Sequence, residues 1–206
     1  MQEDTRLRNT YFDRYDISFY LQEYAGMIAA SLNKVDVEML KRAQKALDEA
    51  HKSGSRVFVG GNGGSAAITD HWSCDFTKGI STDHALSLDL HSLCGHHALF
   101  TAIANDLGYE HTFSYQLQLR EAYARDLLIL ISSSGDSANI VEAARYAKNQ
   151  KMIVIGLTGF SGGKLKELAD ISLHIPCNNY GVVEDCHQAL MHVLAQFHYL
   201  SRAHEE

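Results

Sequence analysis

The sequence predicts an α/β protein built on a mostly parallel sheet that is buried on both faces. Two observations carry this. Five short apolar runs, Leu127-Leu-Ile-Leu-Ile131 the clearest, lack the alternation of a half-wet strand, and stretches with three- and four-residue apolar spacing separate them. Strands covered by helices on both faces read in this way. At 206 residues, with 46% hydrophobic and 21% charged side chains, the chain has ordinary globular composition and the length of one domain.

The elements follow in order. Residues 15–52 read as helical, with Phe19, Tyr24, Ile28, Leu32, Met39, Leu40, Ala43 and Leu47 recurring at helical steps. A break near Asn33 to Asp36 divides them, and Asp36 is placed to cap the second helix. Arg56-Val-Phe-Val-Gly60 is a short buried strand, followed by a glycine-rich turn and a helix from Ala66. Ala85 to Leu88 is the second strand candidate; His96 to Ala104 and Tyr109 to Tyr123 are helix candidates. The apolar run after Asp126 ends in a serine-rich turn, and 138–149 is helical. Met152 to Leu157 and Asp170 to Pro176 complete the strands, with a short helix between them. Val182 to Arg202 is a long amphipathic helix. The expected organisation is one domain over 1–206, its 15–52 helices packed on a 55–203 core.

Composition excludes several classes. The net charge of −7 argues against a general nucleic-acid binder. No apolar stretch approaches the ~20 residues of a membrane span, and the charged N-terminus has no apolar signal core. A soluble cytoplasmic protein is the expectation. Cys74, Cys94, Cys177 and Cys186 form no Cys-x-x-Cys pair and are expected to be reduced thiols, mostly buried.

In parallel sheets, ligands bind beyond the carboxyl ends of the strands. That rule selects three turns: 60–65, 132–137 and 158–163. In the first, Asn62, Gly63, Gly64 and Ser65 stand between a strand and a helix. Glycines let backbone amides approach an anion, and the helix N-terminus adds positive character. The turn lacks the Gly-Lys-Ser/Thr of a P-loop and the Gly-x-Gly-x-x-Gly of a dinucleotide site. Ser132-Ser-Ser-Gly-Asp-Ser137 is the stronger signal. One hydroxyl suffices to cap a helix, whereas Ser132, Ser133, Ser134 and Ser137 together suit the oxygens of a phosphate. The third turn, Thr158-Gly-Phe-Ser-Gly-Gly163, is the weakest of the three.

Gly-Asn-Gly-Gly-Ser65 followed by His71, Ser-Ser-Gly-Asp-Ser137 after a buried strand, Leu-Thr-Gly-x-x-Gly-Gly-Lys164, and Ala102-Ile-Ala-Asn-Asp106 with Gly108-Tyr109 together resemble the sugar isomerase (SIS) domain. Within it they are most similar to the phosphoheptose isomerase branch, which interconverts sedoheptulose 7-phosphate and D-glycero-D-manno-heptose 7-phosphate. The resemblance covers nearly the whole chain. It implies a five-stranded parallel sheet in an α/β/α sandwich and a homotetramer with sites at subunit interfaces. It also implies a phosphate cradle on Ser132, Ser133, Ser134 and Ser137, assisted by Asn62 and Ser65.

Metal and acid–base candidates come from two helices. His71 and Asp75, four apart, share a helical face. In the last helix Glu184, Asp185, His187 and His192 cluster, and periodicity alone pairs Asp185 with His192. The resemblance instead pairs Glu184 with His192, so that His71, Asp75, Glu184 and His192 would hold a divalent metal, zinc or a similar ion. It implies that Asp75 and His192 transfer the protons. The family carries Glu at position 75, Gln at 184, a substrate-contacting Asp at His96 and an Asp at Gly181, so sugar specificity stays open. Two other readings stay open with it: a non-catalytic SIS protein that binds a phosphosugar or a protein partner, and an isomerase for a different phosphosugar.

Overall fold

The computed structural model describes residues 16–79 and 87–203. Two helices come first, α1 (Ile17–Leu32) and α2 (Val37–Ser53). Asp16 caps α1 through its carboxylate, and Asp36 caps α2 by accepting from the amides of Glu38 and Met39. The expected break at 33–36 is therefore a cap. The remainder runs β1 (Arg56–Gly61), α3 (Gly64–Cys74), β2 (Asp89–Ser92), α4 (His97–Asp106), α5 (Ser114–Leu119), β3 (Leu127–Ser132), α6 (Ala138–Asn149), β4 (Ile153–Thr158), α7 (Gly163–Leu168), β5 (Ile171–His174) and α8 (Tyr180–Ala203).

The five strands are all parallel, in the order β2-β1-β3-β4-β5. Because side chains alternate across a strand, each apolar run feeds two cores. Val57, Val59, Ile129, Ile131, Ile155, Leu157, Ile171 and Leu173 pack with α1, α2, α3 and α8. Phe58, Leu128, Leu130 and Val154 face the other way, toward α5, α6 and α7. That double burial explains why the runs lack alternation, and it gives the three-layer α/β/α arrangement.

Two elements differ from the sequence reading. The second strand lies at 89–92, C-terminal to the expected 85–88, part of which falls outside the described residues. It is an edge strand with Asp89 exposed and Leu90 buried, so its alternation hid it among polar residues. The helix expected over 109–123 is a 3₁₀ turn at Tyr109–His111 and a short α5, after which Glu121 adopts φ 50° and ends the run.

At the amino ends of the strands, the wholly buried Asp126 side chain pairs with Arg56 at 2.5 Å and accepts from the backbone amides of Arg56 and Tyr123, each at 3.2 Å. All four cysteines are free; Cys94 and Cys186 are buried, Cys177 is half-buried and Cys74 is exposed. Among the described residues, no helix is long and apolar enough to cross a membrane.

His187 on α8 is completely buried, and its Nε2 lies 3.2 Å from the Thr158 carbonyl. A carbonyl only accepts, so Nε2 carries the proton and Nδ1, without a partner among the described residues, is bare. Burial pushes its pKa down to about 4. The unfolded chain therefore takes up this proton first. His187 contributes no pH dependence above about 6.5, and stability falls by about 1.4 kcal/mol per pH unit below that until about pH 4. In urea unfolding between about pH 7 and pH 5, the protein is expected to lose about 2 kcal/mol more than a His187→Gln variant, whose amide still donates to Thr158. Equal losses would remove His187 as the cause.

Candidate functional site

Strand order places the three turns side by side. β1 pairs with β3 through Gly61 and Ile131, and β3 pairs with β4 through Ser132 and Thr158, so turns 61–64, 132–137 and 158–163 leave adjacent strands at one level. β2 lies on one side of β1 and β3 on the other, which makes this edge the switch point where open parallel sheets bind ligands.

In the serine turn, Ser132 and Ser133 are buried, Ser134 and Ser137 half-buried. Ser132 Oγ accepts from the Gly135 amide at 3.1 Å. Ser133 Oγ is buried without a hydrogen-bond partner among the described residues, a state that costs about 1–3 kcal/mol unless a ligand or water satisfies it. Ser137 is the N-cap residue of α6, yet its hydroxyl makes no capping bond. Asp136 points the other way and accepts from the Lys164 amide at the start of α7, so capping does not account for the serines. Gly135 has φ 72°, and a Cβ there would stand 1.9 Å from the Gly162 carbonyl oxygen. Only glycine lets these two turns touch.

In the first turn Gly63 and Gly64 are exposed and Ser65 is buried in the first turn of α3. Asn62 is locked sideways. Its amide nitrogen donates to Asn139 Oδ1 at 2.8 Å, while its oxygen accepts from Tyr109 OH at 2.7 Å and from Asn139 at 3.0 Å. Asn139 is fully buried and also donates to Thr112. Asn139 and Tyr109 thus hold the loop, and the sequence reading had singled out neither for this. A cleft of about 390 Å³ opens here, lined by Gly61, Asn62, Gly63, Asp70, His97 and Tyr109 among others. His96, which the lining does not include, is the exposed N-cap of α4, with Nδ1 accepting from the Leu99 amide at 3.1 Å.

The ionisable cluster joins α3 to α8. Asp75 ends α3 and opens a π-helical turn over Asp75–Gly79, a distortion frequent at functional sites. Its two carboxylate oxygens face the two histidines: Oδ1 is 3.4 Å from His71 Nε2 and Oδ2 is 3.6 Å from His192 Nε2. The imidazoles meet edge to face at 5.0 Å. One ligand atom from each of His71, Asp75 and His192 lies within 4.8 Å of the others. Donors bonded at 2.0–2.1 Å around a tetrahedral ion stand about 3.4 Å apart. Those separations and the donor set, two imidazoles with one carboxylate, fit a borderline cation such as zinc.

Glu184 does not join this group. Its carboxylate lies against Gly64, where a Cβ would come within 2.3 Å of Oε2, at the amino end of α3. The reason is helical phase, since residues eight apart diverge by about 80°. Burial, then the neighbouring Asp185, holds the Glu184 pKa above the usual carboxylate value. Asp185 faces away from the cluster and accepts from Tyr24 OH at 2.7 Å. Any side chain at Gly181 would strike that same hydroxyl, at 2.7 Å from its Cβ.

Comparison with known proteins agrees with this fold. The SIS domain family matches residues 20–159. A phosphoheptose isomerase of Aliarcobacter butzleri (strain RM4018) is 37% identical over 165 residues, 77% of this chain and 83% of that protein. One from Aneurinibacillus thermoaerophilus is 36% identical over 152 residues, 74% of this chain and 75% of its own length. Among solved structures, a phosphoheptose isomerase from Francisella tularensis superposes with a TM-score of 0.81 at 29% identity, covering 88% of this chain and 95% of that one.

Proposed function

Since the chain belongs to the SIS domain family, in its phosphoheptose isomerase branch, we propose that it is a phosphosugar isomerase whose substrate is sedoheptulose 7-phosphate. The product would be D-glycero-D-manno-heptose 7-phosphate. One observation carries the reading: α3 joins a hydroxyl-lined turn beyond the carboxyl ends of the strands, at its amino end, to a His–Asp–His cluster toward its carboxyl end. His71 lies seven residues beyond Gly64, about 10 Å along the helix. That separation leaves room for a chain of several carbons between a phosphate at the turns and reacting carbons at the cluster.

Ser132, Ser133, Ser134 and Ser137 would take the phosphate oxygens, with the Gly63 and Gly64 backbone and Ser65 supplying further donors at the α3 N-terminus. Aldose–ketose interconversion removes a proton from the carbon next to the carbonyl and returns one to the former carbonyl carbon, through an enediolate. Asp75 and His192 are the pair placed to exchange these protons, as they face each other and both retain some exposure. The second transfer, between the two sugar oxygens, suits His192, because an imidazole has both an accepting and a donating ring nitrogen. His71, Asp75 and His192 would hold a divalent ion, most simply zinc, which when bound polarises the sugar oxygen.

The chain is also proposed to act as a homotetramer in the cytoplasm. Val193, Phe197 and Leu200 of α8 remain exposed in the single chain, and Val37, Leu40, Val193 and Phe197 line an apolar groove between α2 and α8 that a second copy would cover. A monomer in sedimentation would oppose this.

Incubation with a panel of ketose phosphates in deuterium oxide tests the activity. Label is expected at the carbon next to the carbonyl of sedoheptulose 7-phosphate and of no shorter ketose phosphate; no exchange with any of them would sink the isomerase reading. In the same assay Ser134→Ala is expected to raise KM about tenfold, the loss of one hydrogen bond to a charged group at about 1.5 kcal/mol, with kcat little changed. An unmoved KM would displace the phosphate from this turn.

A further inference from the structure

We propose that His187 is a positioning residue for the phosphate: from α8 it sets the Thr158–Gly159 peptide, and through that peptide the Ser133 and Ser134 backbone of the serine turn. The inference rests on the phosphate site proposed above. His187 Nε2 donates to the Thr158 carbonyl at 3.2 Å, beside the Ile175 amide, which donates to the same oxygen at 2.8 Å. A carbonyl has two lone pairs, so both are taken. The Gly159 amide of that same peptide donates to the Ser133 carbonyl at 2.8 Å.

A trans peptide is a rigid plane whose C=O and N–H point opposite ways. Holding the Thr158 oxygen therefore aims the Gly159 N–H at Ser133. The same rule applies once more. With the Ser133 carbonyl turned toward Gly159 on the β4 side, the Ser134 N–H points to the β1 side, where the 61–64 glycine turn lies. Two successive planes thus carry direction from His187 to a donor between the two turns proposed to meet the phosphate.

α8 presses on this peptide at a second point. Val183, one turn before His187, closes on Gly159, where a Cβ would stand 2.5 Å from Val183 Cγ1. The same helix carries His192 five residues further on, about 7.5 Å along its axis. One rigid element therefore keeps the phosphate turns and the proton-transfer cluster in register. Packing alone does not call for a histidine at this place. His187 is wholly buried and its Nδ1 has no partner among the described residues, a cost that leucine would avoid. The bond from Nε2 is what the imidazole adds.

Steady-state kinetics with sedoheptulose 7-phosphate, and its inhibition by inorganic phosphate, test this in His187→Leu, His187→Gln and Ser134→Ala. His187→Leu is expected to raise KM and the phosphate inhibition constant together, by about three- to tenfold, the worth of one neutral hydrogen bond, while kcat changes by less than about twofold. His187→Gln, whose amide still donates, should recover most of the loss. A role in packing alone would lower thermal stability in both variants and leave KM where it was. If His187→Leu moves neither constant while Ser134→Ala raises them, the His187 assignment falls and the phosphate site stands. An equal rise in KM for His187→Gln and His187→Leu also overturns it, as does a loss confined to kcat. If Ser134→Ala moves neither constant, the phosphate lies elsewhere and the His187 assignment goes with it. His187→Met, flexible enough to fill the gap and without a donor, gives the same comparison should His187→Leu fail to fold.

Discussion

Replacing His192 by glutamine is expected to lower kcat by about 10²- to 10⁴-fold, the usual contribution of a positioned acid–base group. Glutamine keeps much of the length and hydrogen-bonding capacity of the imidazole but does not accept and release a proton near neutrality. His192 is only half-buried, and its contacts are to Asp75, Gln188 and the edge of His71. The fold should therefore survive, with an unchanged circular dichroism spectrum and a thermal midpoint within a few degrees. Because the turns proposed to hold the phosphate lie at the other end of α3, KM should change far less than kcat. A variant that keeps kcat within about fivefold would remove His192 from the proton transfers. A fall in KM to match kcat would mean instead that the histidine strains bound substrate.

The second large effect concerns stability. Asp126→Ala is expected to cost about 3 kcal/mol in urea unfolding. The carboxylate is wholly buried and answers three groups at once: the Arg56 guanidinium and the amides of Arg56 and Tyr123. Removing one partner of a buried pair usually costs about 3–5 kcal/mol. Arg56 is 26% exposed and also donates to the Arg120 and Glu121 carbonyls, so it regains some water and keeps two bonds, which lowers the figure. Asp126→Asn, which retains one acceptor, should cost roughly half as much. A loss below about 1 kcal/mol for the alanine variant would show that the pair contributes little.

The layered sheet was legible because double burial leaves a plain trace: uninterrupted apolar runs for β1, β3 and β4, and helical spacing between them. β2 was misplaced because an edge strand is apolar on alternate residues only, and Asp89 and His91 interrupt it. The 109–123 stretch reads as one helix since its apolar spacing is kept through a 3₁₀ turn and a short α-helix; a backbone kink leaves no mark on spacing.

At the site, His71 and Asp75 were legible as an i, i+4 pair, and the structure brings His192 to both. Glu184 was drawn in by resemblance and its carboxylate lies at Gly64, while Asp185, which periodicity pairs with His192, bonds Tyr24 instead. Gln188, one turn before His192, was not singled out by the sequence reading, and its amide lies against both imidazoles. Asn139 is a case beyond local pattern. Nothing in the α6 sequence announces that a buried amide there will grip Asn62, because the contact spans 77 positions and exists only once β1 and β3 lie side by side.

The contact between Gly135 and the Gly162 carbonyl gives the weakest of the three sequence motifs a purpose. The 158–163 turn contributes no serine to the cradle, yet it is the mould against which the serine turn is cast, fastened by the Gly159 amide to the Ser133 carbonyl and by the Leu165 amide to the Gly135 carbonyl. Lengthening that outer turn, or setting any bulk at its point of touch, would reshape the proposed anion seat without altering one residue of it.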